Sequence, residues 1–252
     1  MAVATARAPA KSAAPPNDPG LYAIENARTV GRQLKALAVF ASTDPTRSVL
    51  QYIKVDFAAA SLTLTAVDGY RLGQLRWIVS GTSSNVRCAN GAAAGSVLIP
   101  ASQFIAAGKL LGSAKKYQSA VISIDPIRAA VTFSIADFAN AADPIEHTAG
   151  AGNRLTAKQD DISASVFPNT GHLIPDVPTA ADTLVPATVF DPRFIADVGT
   201  LAAASVPRGE SIALTVHSGV GAYNARLFTW HCGNDAAQWF TGTALIMPMH
   251  QS

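Results

Sequence analysis

Between Glu25 and Ala41 the apolar residues Val30, Leu34, Leu37, Ala38 and Phe40 recur at helical spacing, with Arg28, Arg32 and Lys35 on another face. That pattern predicts an amphipathic helix with a basic stripe. After a turn at Ser42-Thr43-Asp44-Pro45-Thr46, the residues from Val49 to Phe57 and from Ser61 to Ala66 read as strands. Leu62, Leu64 and Ala66 alternate with threonines, Asp68-Gly69 supplies a tight turn, and Arg71-Leu72 restart a strand that ends near Trp77. Ser80 to Gly95, rich in glycine and serine, reads as a linker or long loop.

The pattern then begins again. Val97 to Pro100 is a predicted strand, Ala101 to Ala114 a helix through Phe104, Ile105 and Leu111, and Ala120–Ile124 with Ile127–Ile135 a hairpin around Asp125-Pro126. A loose stretch from Asp137 to Gly152 precedes a strand expected to end in Val166-Phe167-Pro168, and Asn169 to Pro186 reads as a loop. A third round follows. Ala187 to Phe190 is a predicted strand, and Asp191 to Ala204 a helix with Asp191 as N-cap and Pro192 in its first turn. Strands are expected around Ile212, Leu214 and Val216, from Tyr223 to Cys232, and from Phe240 to Met247. Phe104-Ile105-Ala106 and Phe194-Ile195-Ala196 fall at matching places in the second and third rounds, which makes an internal repeat of strand, helix and strands. The fold class is α+β, with each helix packed on antiparallel strands.

Composition narrows the function. Hydrophobic residues make up 49% of the chain, but charged ones only 14% and the formal net charge is +2, so any nucleic-acid contact is local or weak. Cys88 and Cys232 are the two cysteines, too few for a disulfide framework or a cysteine metal site. They suit a reducing cytoplasm. No run of the sequence has the length of a membrane span. Residues 1–19, rich in Ala, Pro and Ser, read as a disordered arm.

Catalytic chemistry finds no support. Gly108-Lys109 lacks the glycine-rich cradle of a phosphate loop, and Gly219-Val220-Gly221 lies between strands where a dinucleotide fingerprint needs a helix. The five histidines are scattered, with no metal-ligand spacing, and Ser83-Ser84 has no nucleophile-elbow pattern. The expectation is a non-enzymatic protein without metal or cofactor.

Two segments carry a family resemblance: the corner Ala66-Val67-Asp68-Gly69-Tyr70-Arg71-Leu72 and the apolar end Ala244-Leu245-Ile246-Met247-Pro248-Met249-His250. They resemble the Ala-Thr-Asp-Gly-X-Arg-Leu corner and Met-Pro-Met end of the bacterial DNA sliding clamp, the β subunit of DNA polymerase III. Arg47 to Leu50, Ser96 to Leu111, and Phe167-Pro168 with Leu173-Ile174-Pro175 are similar to further family segments in the same order. The resemblance implies three clamp modules. Two form a complete domain over residues 20–175, like the family's middle domain, and one a half domain over 176–252, like the second half of its last. Val67 stands where the family usually has Thr, and His172 where it has Arg.

The resemblance also implies a groove that binds short peptides of polymerases, the clamp loader and other replication proteins. Arg47, Leu50, Val67, Gly69, Tyr70, Arg71 and Leu72 would form one wall. Pro168, His172 and Leu173 would form the hinge side, and Ile246, Met247, Pro248 and Met249 the floor. Arg28, Arg32, Lys35, Lys109 and Lys116 would face double-stranded DNA without sequence preference. A homo-oligomer, located in the cytoplasm at the nucleoid, is the expected working form. The alternative is a ring-less decoy or regulator that sequesters clamp-binding partners.

Overall fold

The computed structural model describes residues 20–79, 85–89, 94–137, 154–158, 166–170, 174, 190–206, 210, 212–220, 225–232 and 238–248. In chain order these form β1 (Gly20–Ile24), α1 (Ala27–Ala38), a 3-10 turn (Ser48–Gln51), β2 (Tyr52–Ala58), β3 (Ser61–Val67), β4 (Arg71–Ile78), β5 (Val86–Ala89) and β6 (Gly95–Pro100). Then come α2 (Ala101–Gly112), β7 (Gln118–Asp125), β8 (Ala130–Asp137), β9 (Arg154–Lys158), α3 (Pro192–Ala204), β10 (Thr215–Val220), β11 (Ala225–Cys232) and β12 (Phe240–Ile246).

The strands make two antiparallel sheets, one ordered β5-β1-β7-β8-β9 and the other β10-β11-β12-β4-β3-β2-β6. The larger sheet joins residues far apart in sequence, because β12 pairs with β4 over the whole run from Phe240↔Trp77 to Ile246↔Arg71. At that seam the rings of Trp77 and Phe240 stand 5.8 Å apart.

Helices α2, α1 and α3 form one layer, with α1 between the other two. Two of the three described helices start at a capping side chain. Asn26 caps α1, its side chain accepting from the Thr29 N–H at 3.2 Å, and Asp191 caps α3, accepting from the Arg193 N–H at 2.9 Å. Helices α1 and α2 meet at glycines. A Cβ at Gly31 would stand 2.8 Å from the Gly108 carbonyl oxygen, and one at Gly108 only 2.6 Å from that of Gly31, so any larger residue would force the backbones apart. The main core lies between the helix layer and the sheets, with Leu34, Leu37, Ile53, Leu62, Phe104 and Phe133 all buried.

Three expectations change. Ser80 to Gly95 is not loop throughout, since β5 lies within it and pairs at the sheet edge with β1 from Leu21↔Ala89 to Ile24↔Val86; both strands are too short to show a clear period. Val166 and Phe167 lie in a turn, not at the end of a strand, because the fourth strand of that unit is β9. Val49 falls in the 3-10 turn, so β2 begins at Tyr52. The expected arm at 1–19, most of the loose stretch and the 176–186 loop lie outside the described residues, as does the predicted strand at 187–189.

Candidate functional site

The Asp68-Gly69 corner is built by one carboxylate. Asp68 Oδ1 accepts from the Tyr70 N–H at 2.9 Å and the Arg71 N–H at 3.0 Å, while Oδ2 accepts from Arg71 Nε at 2.7 Å. Gly69 has φ +96°, and a Cβ there would stand 2.5 Å from Arg47 Nη1, so only glycine suits both the turn and its neighbour. Arg47 in turn donates to the Asp68 carbonyl at 3.1 Å and lies 5.5 Å from the centre of the Tyr70 ring. Tyr70 is 57% exposed, an aromatic face held outward by an arginine. Beside it Asp44 accepts from the Thr46 hydroxyl and N–H, which hold its carboxyl below the usual carboxylate range.

Past the corner, strand register assembles an apolar row. Val67 pairs with Leu72, Leu72 with Leu245, and Leu245 with Leu227, so four side chains from β3, β4, β12 and β11 stand abreast. Tyr52, Leu98 and Phe167 join them in one buried cluster separate from the main core, with Leu50, Ile174 and Met247 half-buried at its rim. The Met247 N–H donates to the Tyr70 carbonyl at 2.8 Å, which ties the chain end to the corner. Leu50, Val67, Leu72 and Met247 share this cluster, and Gly69 and Tyr70 lie at the corner beside it.

Two expected groove residues point the other way, because side chains alternate across a strand. Ile246, foreseen on the floor, is fully buried in the main core. Arg71, foreseen in the wall, crosses to the helix layer, where it pairs with Asp68 and Asp197 and donates to the Val39 carbonyl at 2.8 Å. Its guanidinium lies 5.2 Å from the Phe40 ring centre and 4.7 Å from that of Phe194. Arg71 is thus the polar hinge pin between α1, the corner and α3. Pro168 is half-buried near the rim and Pro248 follows Met247, also half-buried, whereas His172, Leu173 and Met249 lie outside the described residues. Leu227, Leu245 and Leu98 were not foreseen as site residues. Each falls in a segment that reads as a strand, but only the register puts Leu245 and Leu227 level with Leu72, and only the packing brings Leu98 into their cluster.

The basic residues of the helix layer divide into two kinds. Arg28 donates through Nε to the Ala114 carbonyl just past α2, and Arg32 donates to the Val206 carbonyl just past α3 and to Thr29 Oγ1 at 3.1 Å. Both satisfy carbonyls at neighbouring helix ends, where a cation is favoured. Lys35 is exposed, its stem crossing Gly108, and Lys109 is exposed on α2. Lys116 is exposed 4.9 Å from the Tyr117 ring centre, and its hydrogen bond with Tyr117 raises its pKa.

Among the described residues no group of His, Cys, Asp and Glu is placed to hold a metal ion, and no helix is long and apolar enough to cross a membrane. No family model and no curated protein sequence matches the chain. Solved structures do. The DNA polymerase III β subunit of Thermotoga maritima matches 97% of this chain and 69% of its own at 12% identity, with a TM-score of 0.56. The β subunit of Pseudomonas aeruginosa matches 98% of this chain and 70% of its own at 12% identity, with a TM-score of 0.48. The DNA polymerase sliding clamp of Bacillus subtilis covers 97% and 67% at 12% identity, with a TM-score of 0.46. The α+β architecture, with its layer of helices on antiparallel sheets, is the fold of the bacterial DNA sliding clamps.

Proposed function

We propose that this chain is a non-enzymatic docking protein of DNA replication, which captures short clamp-binding peptides of polymerases and clamp-loader proteins at the rim of the buried Val67–Leu72–Leu245–Leu227 row. The observation that carries this reading is the row itself. It unites the corner and the C-terminal strand and, itself buried, supports a rim of half-buried Leu50 and Met247 and exposed Tyr70, the side chains a peptide can reach. Such a rim suits leucine, methionine or aromatic anchors, a few of which supply most of the energy of a peptide complex.

Residues 20–175 and 176–252 are read as a two-module and a one-module unit joined through β4 and β12. Among the described residues the sheets end at β5, β9, β6 and β10, and such edges favour pairing with another copy. A homo-oligomer that holds duplex DNA without sequence preference, with Lys35 and Lys109 toward the phosphates, completes the proposal.

The test is fluorescence anisotropy with a labelled peptide bearing a leucine and an aromatic anchor. Tyr70→Ala with Met247→Ala, both at the rim, should weaken binding about tenfold or more. Unchanged affinity in a folded double variant would overturn the groove. Retention on circular duplex DNA and release on linearisation would support an encircling oligomer, and indifference to DNA would restrict the protein to sequestering peptides.

A further inference from the structure

Where the end of α1 meets the corner, the structure holds a cavity of about 590 Å³, inside the range of ligand sites, about 300–1,000 Å³. Tyr70 lines it and, through its carbonyl, holds the Met247 N–H, so the cavity adjoins the peptide rim. Its other walls are the last residues of α1, the turn at 41–44, Arg47 and Ile105 of α2.

The apolar part of this lining faces water. Val39 is 47% and Ile105 42% exposed, and Tyr70 is more exposed than either. Single exposed hydrophobic side chains are ordinary, but here three from separate elements surround one cavity. The polar groups are of two kinds. Asp68 accepts from the Tyr70 and Arg71 N–H groups and from Arg71 Nε, and Arg71 is shared among Asp68, Asp197 and the Val39 carbonyl. Both are occupied. Asp44 and Arg47 have side chains nearly half exposed, and Arg47 Nε stands 3.8 Å from Asp44 Oδ2, beyond hydrogen-bond reach. Arg47 also donates to the Asp68 carbonyl and Asp44 accepts from Thr46, contacts that exhaust neither a guanidinium nor a carboxylate.

With two carboxylates and two guanidiniums the cavity has no net formal charge, which suits neither a polyanion nor a polycation. A peptide suits it. Each residue of a main chain brings one N–H for Asp44 or one C=O for Arg47, and an aliphatic side chain answers Val39 and Ile105. We infer that peptides captured at the rim continue past Tyr70 and seat a second, aliphatic side chain in this cavity, between Val39 and Ile105. The inference rests on the peptide-docking reading and adds a specificity to it: the partner segment carries an aliphatic residue beyond its leucine and aromatic anchors.

The test uses the full chain and the labelled peptide with leucine and aromatic anchors, alone and lengthened at either end by a glycine-serine segment along which one leucine is moved. At one position that leucine should tighten binding about fivefold over the glycine-serine control, as a part-buried aliphatic side chain does. Ile105→Glu, at an exposed helix position, should abolish the gain and leave the affinity of the short peptide unchanged. A photoreactive diazirine analogue of that leucine should crosslink to residues 38–44 or to Ile105, a readout on the unaltered chain that does not depend on a variant folding. A leucine without effect at every position, a gain that survives in folded Ile105→Glu, or crosslinks confined to other segments would overturn the inference while the short peptide still binds. So would duplex DNA that removes the gain but leaves the short peptide bound, which would give the cavity to nucleic acid. Failure of the short peptide to bind would remove the docking reading and this inference with it.

Discussion

Helices α2 and α3 flank α1 on its two sides, but they are held to it by different physics. The α1–α2 contact is backbone against backbone, through Gly31 and Gly108, with no room for a single added carbon. The α1–α3 side shares the apolar core through Val198 and Leu201 and adds directed polar and aromatic contacts: Arg32 to the Val206 carbonyl, and Arg71 from the corner to Asp197 and Phe194. Beyond that, α3 depends on the shared sheet, where β12 lies against β4. Its outer face carries Ala196, Gly199, Thr200 and Ala203, all exposed, and a Cβ at Gly199 would meet nothing within 4 Å. The first pair of modules adds backbone-to-backbone packing to its buried core, whereas α3, with Val198, Leu201 and Ala202 buried on its own strands, meets α1 through a few directed contacts, so the third module should open first.

The largest test of that difference is Arg71→Ala. It leaves the Asp68 and Asp197 carboxylates without their partner and strips a cation from two rings, so a loss of about 3 kcal/mol is expected. Hydrogen exchange should locate the loss in β11 and β12, with β7 and β8 still protected; uniform loss would show that the modules unfold as one. Gly31→Ala should cost about 2 kcal/mol by overpacking against the Gly108 backbone, read as a lower denaturation midpoint.

Gly199→Ala should go the other way. With open space at its Cβ and only helix propensity at work, it should gain about 0.8 kcal/mol, and a destabilised variant would mean that α3's outer face is covered in solution.

The smallest effect at neutral pH concerns Cys232. Burial, with the Glu210 carboxylate nearby, pushes its thiol up from 9.0 to about 11. The unfolded thiol ionises first, so this group leaves stability unchanged below pH 9 and reduces it as pH rises from about 9 to about 11. Alkylation of the folded protein should be slow at pH 8 and should speed up in Arg71→Ala, if the third module opens as a unit. Equal rates in the two proteins would place the opening elsewhere.

Much of the architecture was legible in the chain. Helical spacing located α1 and α2, Asp191-Pro192 marked the start of α3, and the alternation of Leu62, Leu64 and Ala66 marked β3, because these signals are local and periodic. The corner was legible for the same reason, since Asp68 bonds to residues two and three ahead. The short strands β1 and β5 were not, because each depends on a partner far away in sequence.

The site was half legible. The resemblance singled out Val67, Leu72 and Met247, but it also assigned Ile246 and Arg71 to the groove, and strand alternation sends both to the helix side. What the sequence determined by itself is the order of elements, their caps and turns, and which residues are apolar. Only the tertiary structure decided that Leu227 and Leu245 stand beside Leu72, that Arg28 and Arg32 serve neighbouring helix ends, and that Val39 and Ile105 share one cavity with Tyr70. Those facts depend on register and on helix packing, which join residues separated by long stretches of chain, and no local pattern carries that information.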